Sequence, residues 1–350
     1  MSYQERFRIT ARNSVEVVTP KELKATLSRG NGLRAYVGVE PSGLLHLGTG
    51  PILAEKLSDF CETGFHVTVL LADWHAYIND KLGSDWERIK ACAEYMIEAY
   101  QSLGVPKDVR YLYASELVAD SEYWKSVIRA SKASSVSRIK RAMSIMGRQE
   151  EEGELDASKL IYPAMQVTDI HILDLDLALG GMDQRRAHML YRDLAPKLGW
   201  KQLVAIHTPM LSSLQGGGRM DSWDLKMSKS KPETCIFIHD GPDVIQEKIR
   251  KAYCPPGEVE GNPILQFCQY LLLPRFSRVK VERSPRHGGD IVFEDYSTLE
   301  QAYREGELHP QDLKAAVAGY LAELLEDSRK HFEARPETLT RVERALGIRG

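Results

Sequence analysis

The sequence predicts an α/β fold, with a parallel β-sheet in the first part of the chain and a mostly helical region after it. Apolar segments at 34–39 and 65–73 are typical of buried strands. Between them, a glycine-containing turn leads into a helix that ends near Phe60. A strand, a helix and a second strand in this order form the repeating unit of parallel sheets with helices on their faces. Ligands bind such sheets at the carboxyl ends of the strands.

The remaining elements follow from local patterns. Residues 1–32 read as a polar helical start, and Thr19-Pro20-Lys21-Glu22 within it has the pattern of a helix N-cap. Further elements before residue 210 are helices at 85–103, 122–149 (as two helices), 159–173 and 180–194, and strands at 109–114, 175–179 and 203–207. After Pro242 we predict helices at 244–252, 264–273, 297–304, 309–332 and 336–346, and strands at 277–283 and 291–293. This second region reads as a separate, mostly helical domain.

The composition is that of an ordinary globular protein. The chain has 350 residues, 43% of them hydrophobic and 27% charged, with a net charge of −3. That balance excludes a uniformly basic nucleic-acid coat, so any nucleic-acid contact must come from local patches. Five scattered cysteines without a C-x-x-C pair predict reduced thiols in a cytoplasmic protein. The polar N-terminus predicts no secretory signal, and no apolar run approaches the ~20 residues that span a membrane.

A short stretch rich in lysine and serine is the strongest chemical signal. Lys226-Met227-Ser228-Lys229-Ser230 follows the glycines 216–218 and precedes Pro232. Lysine side chains reach phosphate oxygens as mobile charges, and serine hydroxyls donate hydrogen bonds to the same oxygens. A loop of this kind can close over a triphosphate and stabilise charge in a transition state. Taken alone, it could equally be a solvated basic loop.

A second signal, His46-Leu47-Gly48, lies after the first strand, where it would flank one ligand together with the lysine–serine loop. Gly180 and Gly181 begin another strand-to-helix turn, in which Asp183 and Gln184 stand where a ribose or an amino group could bind. The chain has no G-x-x-x-x-G-K-[ST] motif, which excludes a P-loop enzyme. No convincing Ser-His-Asp order is present either.

Two helical segments carry polar groups whose meaning the sequence leaves open. In the helix at 159–173, spacings of three and four bring Tyr162, Gln166 and Asp169 to one face. This face is either a structural polar core or a ligand site, because buried Gln and Asp need partners. The segment 122–149 is rich in basic residues: Arg129, Lys132, Arg138, Lys140, Arg141 and Arg148. It is either a solvated helix face or a phosphate-backbone contact.

Several of these segments together resemble the class I aminoacyl-tRNA synthetases, and most closely the tyrosyl-tRNA synthetases of the archaeal/eukaryotic type. The segments that carry the resemblance are 36–48, 71–77, 161–170, 180–185 and the lysine–serine stretch 226–230. The similarity extends over about residues 30 to 330. It implies a Rossmann-type catalytic domain at 1–214, with a helical insertion at about 115–158 for dimerisation and acceptor-stem contact. It further implies a mobile signature loop and linker at 215–240 and an anticodon-binding domain at 241–350.

The resemblance also implies the reaction and the residues that perform it. Tyrosine would attack the α-phosphate of ATP to form tyrosyl-adenylate and pyrophosphate, and the tyrosyl group would then pass to the 3′ end of tRNA(Tyr). Tyr36 and Asp169 would bind the phenol. Tyr162, Gln166 and Gln184 would hold the α-amino group, and Glu40 would line the same pocket. The ATP site would comprise His46, Gly48, Asp183, Lys226, Met227, Ser228, Lys229 and Ser230. Catalysis would depend on His46, Gly48, Lys226 and Lys229. Magnesium is expected to arrive with ATP, without a metal site built from protein side chains.

For tRNA, the resemblance implies two contact regions and a homodimer. Arg138, Lys140, Arg141 and Arg185 are candidates for the acceptor stem. His287, His309 and Asp312 are candidates for the anticodon, although His309-Pro310 is equally a helix-capping pattern. One departure is Thr49, which stands where the family usually has a histidine, and it leaves the role of that position open.

Two alternatives compete with the tyrosyl assignment. A tryptophanyl-tRNA synthetase shares the fold and both signatures, but its pocket must accept an indole, which disfavours the pair Tyr36 and Asp169. A non-catalytic, synthetase-like RNA-binding protein is disfavoured by the intact lysine–serine loop. A site that hydrogen-bonds a phenol rejects phenylalanine by a factor of ~10⁴–10⁵, so such an enzyme needs no editing domain.

Overall fold

The computed structural model describes residues 1–143, 156–216, 227 and 232–348, and the chain forms two compact units. The first unit comprises Met1–Gly43, Glu55–Pro209 and the C-terminal residues from Thr338 onward. The second unit comprises Leu44–Ala54 and Met210–Glu337. The division into a catalytic domain, a signature loop and an anticodon-binding domain stays a prediction.

A six-stranded sheet forms the centre of the first unit. Its strands are β1 (Glu16–Val18), β2 (Leu33–Val39), β3 (Phe65–Leu71), β4 (Arg110–Tyr113), β5 (Leu177–Gly181) and β6 (Val204–Thr208). Their order across the sheet is β1-β6-β5-β2-β3-β4, and all neighbours are parallel except β1, which pairs antiparallel with β6. The α/β fold class is therefore confirmed. Strand β1 was not predicted, because three residues at a sheet edge are too few to show a period of two.

The chain path creates a natural binding position in this sheet. After β2 the chain builds β3 and β4 on one side, and it then returns to place β5 and β6 on the other side of β2. The carboxyl ends of β2 and β5 therefore lie next to each other where the direction of winding reverses. Open α/β sheets bind ligands at such a point. Glu40 follows β2 there, and Gln184 follows β5 by three residues.

The helices of this part include two short ones, at 73–78 and 114–118, that were not predicted, and residues 144–149 of the predicted helical segment 122–149 lie outside the described residues. The helices are α1 (Tyr3–Ala11), α2 (Pro20–Leu27), α3 (Pro51–Glu62), α4 (Asp73–Ile78), α5 (Trp86–Ser102), α6 (Ala114–Val118), α7 (Ser121–Lys132), α8 (Val136–Ala142), α9 (Ala157–Ile172) and α10 (Arg185–Leu198). The predicted N-cap of α2 is confirmed, because Thr19 and Glu22 form a reciprocal capping box. Within the described ranges, no helix has both the length and the apolar character that crossing a bilayer requires.

The second unit is mostly helical, as predicted. Its elements are α11 (Pro242–Lys251), α12 (Pro263–Phe267), α13 (Leu273–Phe276), β7 (Val279–Val281), β8 (Ile291–Phe293), α14 (Tyr296–Arg304), α15 (Pro310–Leu324) and α16 (Glu326–Ala334), and α17 (Pro336–Ala345) follows. The prediction that a helix ends at Pro274 is wrong. A π-helical turn at Cys268–Leu272 joins α12 to α13, and Pro274 lies in the first turn of α13, where its missing N–H is tolerated.

The C-terminal helix α17 returns to the first unit. The Thr338 hydroxyl donates a hydrogen bond to Glu98 at 2.7 Å, and Arg341 forms an ion pair with Glu94. Both partners lie on α5. The end of the chain is therefore held by polar contacts to a helix that is more than 200 residues earlier.

Candidate active site

A buried carboxylate, Asp169 on α9, lies at the centre of the first unit's polar pocket. It is 1% exposed. Its Oδ1 accepts a hydrogen bond from the Tyr123 hydroxyl at 2.7 Å, and its Oδ2 lies 3.1 Å from Nε2 of His75. The imidazole of His75 in turn packs edge-on against the ring of Tyr162, with 4.9 Å between ring centroids. Asp169 is thus enclosed by aromatic side chains from three helices.

Tyr36, on the central strand β2, shares this environment. Its side chain is fully buried, and burial first, then the negative charge of Asp169, raises its pKa. The pKa of Tyr123 is raised for the same two reasons in the same order. Both phenols therefore remain protonated at neutral pH and act as hydrogen-bond donors. The two residues predicted to recognise a phenol, Tyr36 and Asp169, are close enough for the charge of one to act on the other.

The other end of the pocket is organised around Glu40. Its Oε1 accepts hydrogen bonds from the Tyr162 hydroxyl at 2.6 Å and from Nδ2 of Asn79 at 3.0 Å. Lys81 is a more distant neighbour, with its Nζ 3.8 Å from Oε2. Burial, followed by the charge of Glu40, raises the pKa of Tyr162. Tyr162 therefore spans the pocket, since its ring touches His75 and its hydroxyl holds Glu40.

Gln166 completes the polar face of α9. Its Nε2 donates to Oε1 of Gln184 at 3.0 Å. Its own Oε1 is buried and accepts no hydrogen bond from any described residue. Tyr162, Gln166 and Asp169 therefore share one face of α9, as their spacing predicts, and each has a protein partner. The free acceptor on Gln166 is a position that a bound donor would satisfy.

Three residues of this pocket were not predicted from the sequence: His75, Asn79 and Tyr123. His75 lies on α4 and Asn79 caps its end, directly after the carboxyl end of β3. That position at the sheet edge is a signal that could have identified both. Tyr123 carries no comparable signal, because only the packing of α7 against α9 brings its hydroxyl to Asp169.

The His46-Leu47-Gly48 motif lies in the second unit, where a backbone bridge holds it. Leu47 N donates to Ile236 O at 3.0 Å, and Ile238 N donates to Leu45 O at 3.1 Å. The amide of Gly48 donates to Nδ1 of the buried His46 at 3.1 Å. A Cβ at position 48 would lie 3.1 Å from the imidazole ring. This close approach explains why the turn carries glycine there.

The structure brings this motif next to one residue of the lysine–serine stretch. Met227 is buried, its amide donates to Leu211 O at 3.1 Å, and its Cβ lies 3.5 Å from where a Cβ on Gly48 would be. Lys226, Ser228, Lys229 and Ser230 lie outside the described residues. The proximity that the sequence predicted for the two motifs therefore exists at Gly48 and Met227, and the roles of the flanking lysines and serines stay predictions.

Two arginines predicted to contact the acceptor stem form ion pairs within the protein. Arg138 donates to Oδ2 of Asp193 at 2.7 Å, and Arg185 donates to Oε2 of Glu16 at 2.8 Å. The other two candidates, Lys140 and Arg141, are exposed. The contact of all four with tRNA stays a prediction.

The anticodon candidates lie near the start of α15. The side chain of His309 accepts from Gln311 N at 3.2 Å, which confirms the capping pattern as a structural role. Asp312 follows in the first turn and is half-buried. His287 ends a short 3₁₀-helix at Pro285–His287, and its side chain lies outside the described part of the structure.

A glycine behind the pocket supports a first prediction. A Cβ at Gly180 would lie 2.7 Å from Cβ of Gln184 and 3.1 Å from Cε1 of His188. Gly180→Ala is therefore expected to lower the free energy of unfolding by about 1–3 kcal/mol through overpacking. The added methyl group should also displace Gln184 from its hydrogen bond with Gln166. Denaturant unfolding tests the loss of stability.

Gly319→Ala is the matched control for this substitution. Gly319 is an exposed residue within α15 with no atom near its missing Cβ. There, alanine should stabilise the protein by ~0.5–1 kcal/mol. Equal effects of the two substitutions would contradict the packing argument.

A buried pair of histidines next to Gly180 predicts a pH dependence of stability. His188 Nδ1 lies 3.0 Å from His207 Nε2, and His207 Nδ1 lies 2.8 Å from Glu16. Burial, then the charge of His207, lowers the pKa of His188 from 6.5 to about 3. Between these two values the unfolded chain binds a proton that the folded chain excludes, so the free energy of unfolding falls as pH falls. The expected slope is about 1.4 kcal/mol per pH unit.

Urea unfolding at pH 6.5 and 4.5 tests this, with His188→Gln as the comparison. The wild type should lose about 2–3 kcal/mol more than the variant over this interval. An identical loss in both proteins would exclude His188 as the titrating group.

Comparisons with known proteins agree with this geometry. A family model described as "tRNA synthetases class I (W and Y)" matches residues 28–326. A tyrosine–tRNA ligase of Saccharolobus islandicus is 50% identical over 348 residues, which cover 96% of each chain. The chain belongs to the tyrosyl-tRNA synthetase family. The family resemblance inferred from the sequence is therefore confirmed.

Solved structures of tyrosyl-tRNA synthetases share the whole fold. The enzyme of Aeropyrum pernix is 47% identical, with a TM-score of 0.89 over 99% of both chains. The enzyme of Pyrococcus horikoshii, crystallised with L-tyrosine, is 39% identical, with a TM-score of 0.90 over 98% of this chain and 100% of that one. The α/β architecture with a helical C-terminal part is thus that of the tyrosyl-tRNA synthetase family.

Proposed function

We propose that this chain is a tyrosine–tRNA ligase. It activates L-tyrosine with ATP and transfers the tyrosyl group to the 3′ end of tRNA(Tyr). The observation that carries the proposal is the buried carboxylate of Asp169 beside the phenol of Tyr36. A buried polar pair of this kind is costly unless a ligand or neighbour satisfies it, and a phenolic hydroxyl can both accept from Tyr36 and donate to Asp169.

The amino end of tyrosine would bind at the opposite side of the pocket. The free Oε1 of Gln166 and the carboxylate of Glu40 are acceptors suited to an ammonium group. Tyr162 and Gln184 hold these two side chains in place by hydrogen bonds of 2.6 and 3.0 Å. These contacts support the assignment of Glu40, Tyr162, Gln166 and Gln184 to the tyrosine site.

ATP is assigned to the two signature motifs, and the reaction needs charge neutralisation rather than a protein nucleophile. A tyrosine carboxylate oxygen attacks the α-phosphorus, the bond to the bridging oxygen breaks, and pyrophosphate leaves. His46, Gly48 and Asp183 would contact ATP. Lys226, Ser228, Lys229 and Ser230 would bind the triphosphate, beside the buried Met227.

Mg²⁺ would enter on the ATP phosphates, and the described residues contain no group of three or more potential metal ligands. In the second step a ribose hydroxyl of tRNA attacks the tyrosyl carbonyl and AMP leaves.

The partner assignments rest on surface features. Trp124 and Ile128 on α7 and Val136 on α8 are 42%, 67% and 65% exposed, an apolar face that a second copy of the chain would cover. We assign a homodimer to this face, and sedimentation of the wild type tests it. The location is assigned to the cytoplasm, where the five free cysteines remain reduced.

ATP–pyrophosphate exchange with tyrosine, tryptophan and phenylalanine tests the proposed function. Exchange with tyrosine at least ~10⁴-fold more efficient than with phenylalanine is expected. Exchange with tryptophan alone would assign the chain to the tryptophanyl enzymes. No exchange with any of the three would leave the RNA-binding alternative.

The hydrogen bonds of Arg283 in the second unit lead to a separate prediction about kcat/KM for tRNA. Arg283 donates from Nε to Gly289 O and from Nη1 to Glu307 O, both at 2.8 Å. It therefore ties the turn after His287 to the residues just before His309. Arg283→Ala should lower kcat/KM for tRNA about 10- to 100-fold through the loss of these charged hydrogen bonds, and leave ATP–pyrophosphate exchange unchanged.

Arg304→Ala is the control, because Arg304 forms an exposed ion pair with Glu300 within α14. Aminoacylation and exchange are measured for both variants. A parallel loss of exchange in Arg283→Ala would refute a role confined to tRNA recognition.

A further inference from the structure

The buried carboxylate of Asp169 needs neighbours that compensate its charge. A buried carboxylate without a compensating charge takes up a proton, because desolvation raises its pKa. Asp169 is 1% exposed, and among the described residues its one ion-pair partner is His75. Only an ionised carboxylate is purely an acceptor. The protonation state of Asp169 therefore decides whether it demands a donor, such as a phenolic hydroxyl, from its ligand.

His75 is placed to supply the missing positive charge. It is 2% exposed, and the acidic groups facing it are Asp169 from α9, Glu40 from the end of β2 and Asp73 from its own helix. Burial by itself lowers the pKa of His75, but the nearby charge of Asp169, then those of Glu40 and Asp73, outweigh burial and raise the pKa. These acidic groups therefore favour the imidazolium form of His75.

His75 acts on Asp169 through its charge and not through a directed hydrogen bond. Nε2 approaches Oδ2 at 3.1 Å without alignment for a hydrogen bond, and Nδ1 has no hydrogen-bond partner among the described residues. The ring is held by its edge-on contact with Tyr162. His75 thus contributes charge, and another residue must fix the direction of the carboxylate.

Tyr123 performs that second task. Its buried hydroxyl donates to Oδ1 at 2.7 Å, which fixes the rotation of the carboxylate about its Cβ–Cγ bond. One lone pair of Oδ1 is thereby used, and the carboxylate retains further acceptor capacity. Tyr36 is near enough for the charge of Asp169 to raise its pKa, so this remaining capacity is available beside the Tyr36 phenol.

We propose that His75 and Tyr123 are positioning residues that create the selectivity for a hydroxylated ring: His75 places a counter-charge 3.1 Å from the Asp169 carboxylate, and Tyr123 orients that carboxylate. This inference rests on the proposed tyrosine site, and it explains why that site would select tyrosine over phenylalanine. A phenylalanine ring would leave the oriented, ionised carboxylate without a donor, which is the costly state. Neither residue contacts the reacting atoms, so their effect falls on binding and selectivity rather than on the chemical step.

The test uses Tyr123→Phe and His75→Gln in ATP–pyrophosphate exchange with tyrosine and phenylalanine. Tyr123→Phe removes one hydroxyl without changing the ring, and His75→Gln retains a neutral donor without the charge. Each is expected to raise KM for tyrosine and lower the tyrosine/phenylalanine selectivity about 10- to 100-fold, with kcat changed less than about threefold. Tyr303→Phe is the control, since it deletes an equally buried hydroxyl that donates to Pro255 O at 2.7 Å in the second unit.

The pH dependence of KM for tyrosine distinguishes an effect of the His75 charge from an effect of its packing. In the wild type, KM for tyrosine should rise at alkaline pH as His75 loses its proton. In His75→Gln this rise should be absent, because the side chain that loses its charge has been removed. If His75 acts through packing alone, the wild type and the variant should show the same pH trend.

The outcomes are distinct. A wild type that fails to activate tyrosine refutes the proposed function itself. A wild type that is selective, with both variants retaining their selectivity within about threefold, overturns this inference. Should His75→Gln fail to fold, the selectivity of Tyr123→Phe decides alone, with thermal unfolding as the measure of its integrity.

Discussion

Asp169→Ala is expected to remove most of the discrimination between tyrosine and phenylalanine. In the proposed tyrosine site the substitution deletes the acceptor for the substrate hydroxyl, and it leaves the Tyr123 hydroxyl without the partner it holds at 2.7 Å. Phenylalanine then no longer exposes an unpaired carboxylate. The selectivity should fall from ~10⁴–10⁵ to about 10, and kcat/KM for tyrosine should fall by ~10³.

ATP–pyrophosphate exchange with both amino acids measures this effect. Asp193→Ala is the matched control, because Asp193 is a 52% exposed acid whose ion pair with Arg138 is at the protein surface. It should leave exchange unchanged, since exposed ion pairs contribute about 0–1 kcal/mol. Selectivity that is unaltered in Asp169→Ala would remove this residue from the phenol site.

Lys229→Ala is the second substitution with a large expected effect. Charge on the triphosphate builds up as pyrophosphate departs, and a lysine on the signature loop acts mainly at that moment. Adenylate formation should slow by ~10²–10³, while the dissociation constant for tyrosine changes less than about twofold. The position of Met227 beside Gly48 supports this expectation, because it places one residue of the lysine–serine stretch next to the other signature motif.

Single-turnover measurement of adenylate formation, with tyrosine binding measured separately, distinguishes the two effects. Lys251→Ala is the control: Lys251 is a 67% exposed lysine paired with Glu247 on α11. If Lys229→Ala weakened tyrosine binding as much as it slowed the reaction, its role would be in ground-state binding instead.

The local features of the site could be predicted because they depend on short-range geometry. Tyr162, Gln166 and Asp169 share a face of α9 because a helix turns every 3.6 residues. The strand at β2 and the cap at Thr19 likewise follow from neighbours in the chain. Glu40 and Gln184 were found from motifs and lie where the winding of the sheet reverses.

Features that depend on distant partners were not predictable in this way. Tyr123 reads as part of a basic helical segment, yet it donates to an acid 46 residues later. Arg138 and Arg185 read as free cations, yet they pair with acids 55 and 169 residues away. Pro274 reads as the end of a helix, yet it lies in the first turn of α13, which a π-helical turn at Cys268–Leu272 joins to α12.

The fold class and the family could be predicted from neighbouring residues alone, because periodicity and motifs are local properties of the chain. The pairing of each buried charge with its compensating group became visible only in the folded protein. A buried acid such as Asp169 needs a particular imidazole and hydroxyl beside it, and α4, α7 and α9 bring these together from separate parts of the chain. Coulomb energies and hydrogen bonds depend on distances of a few ångströms, and those distances are set by packing.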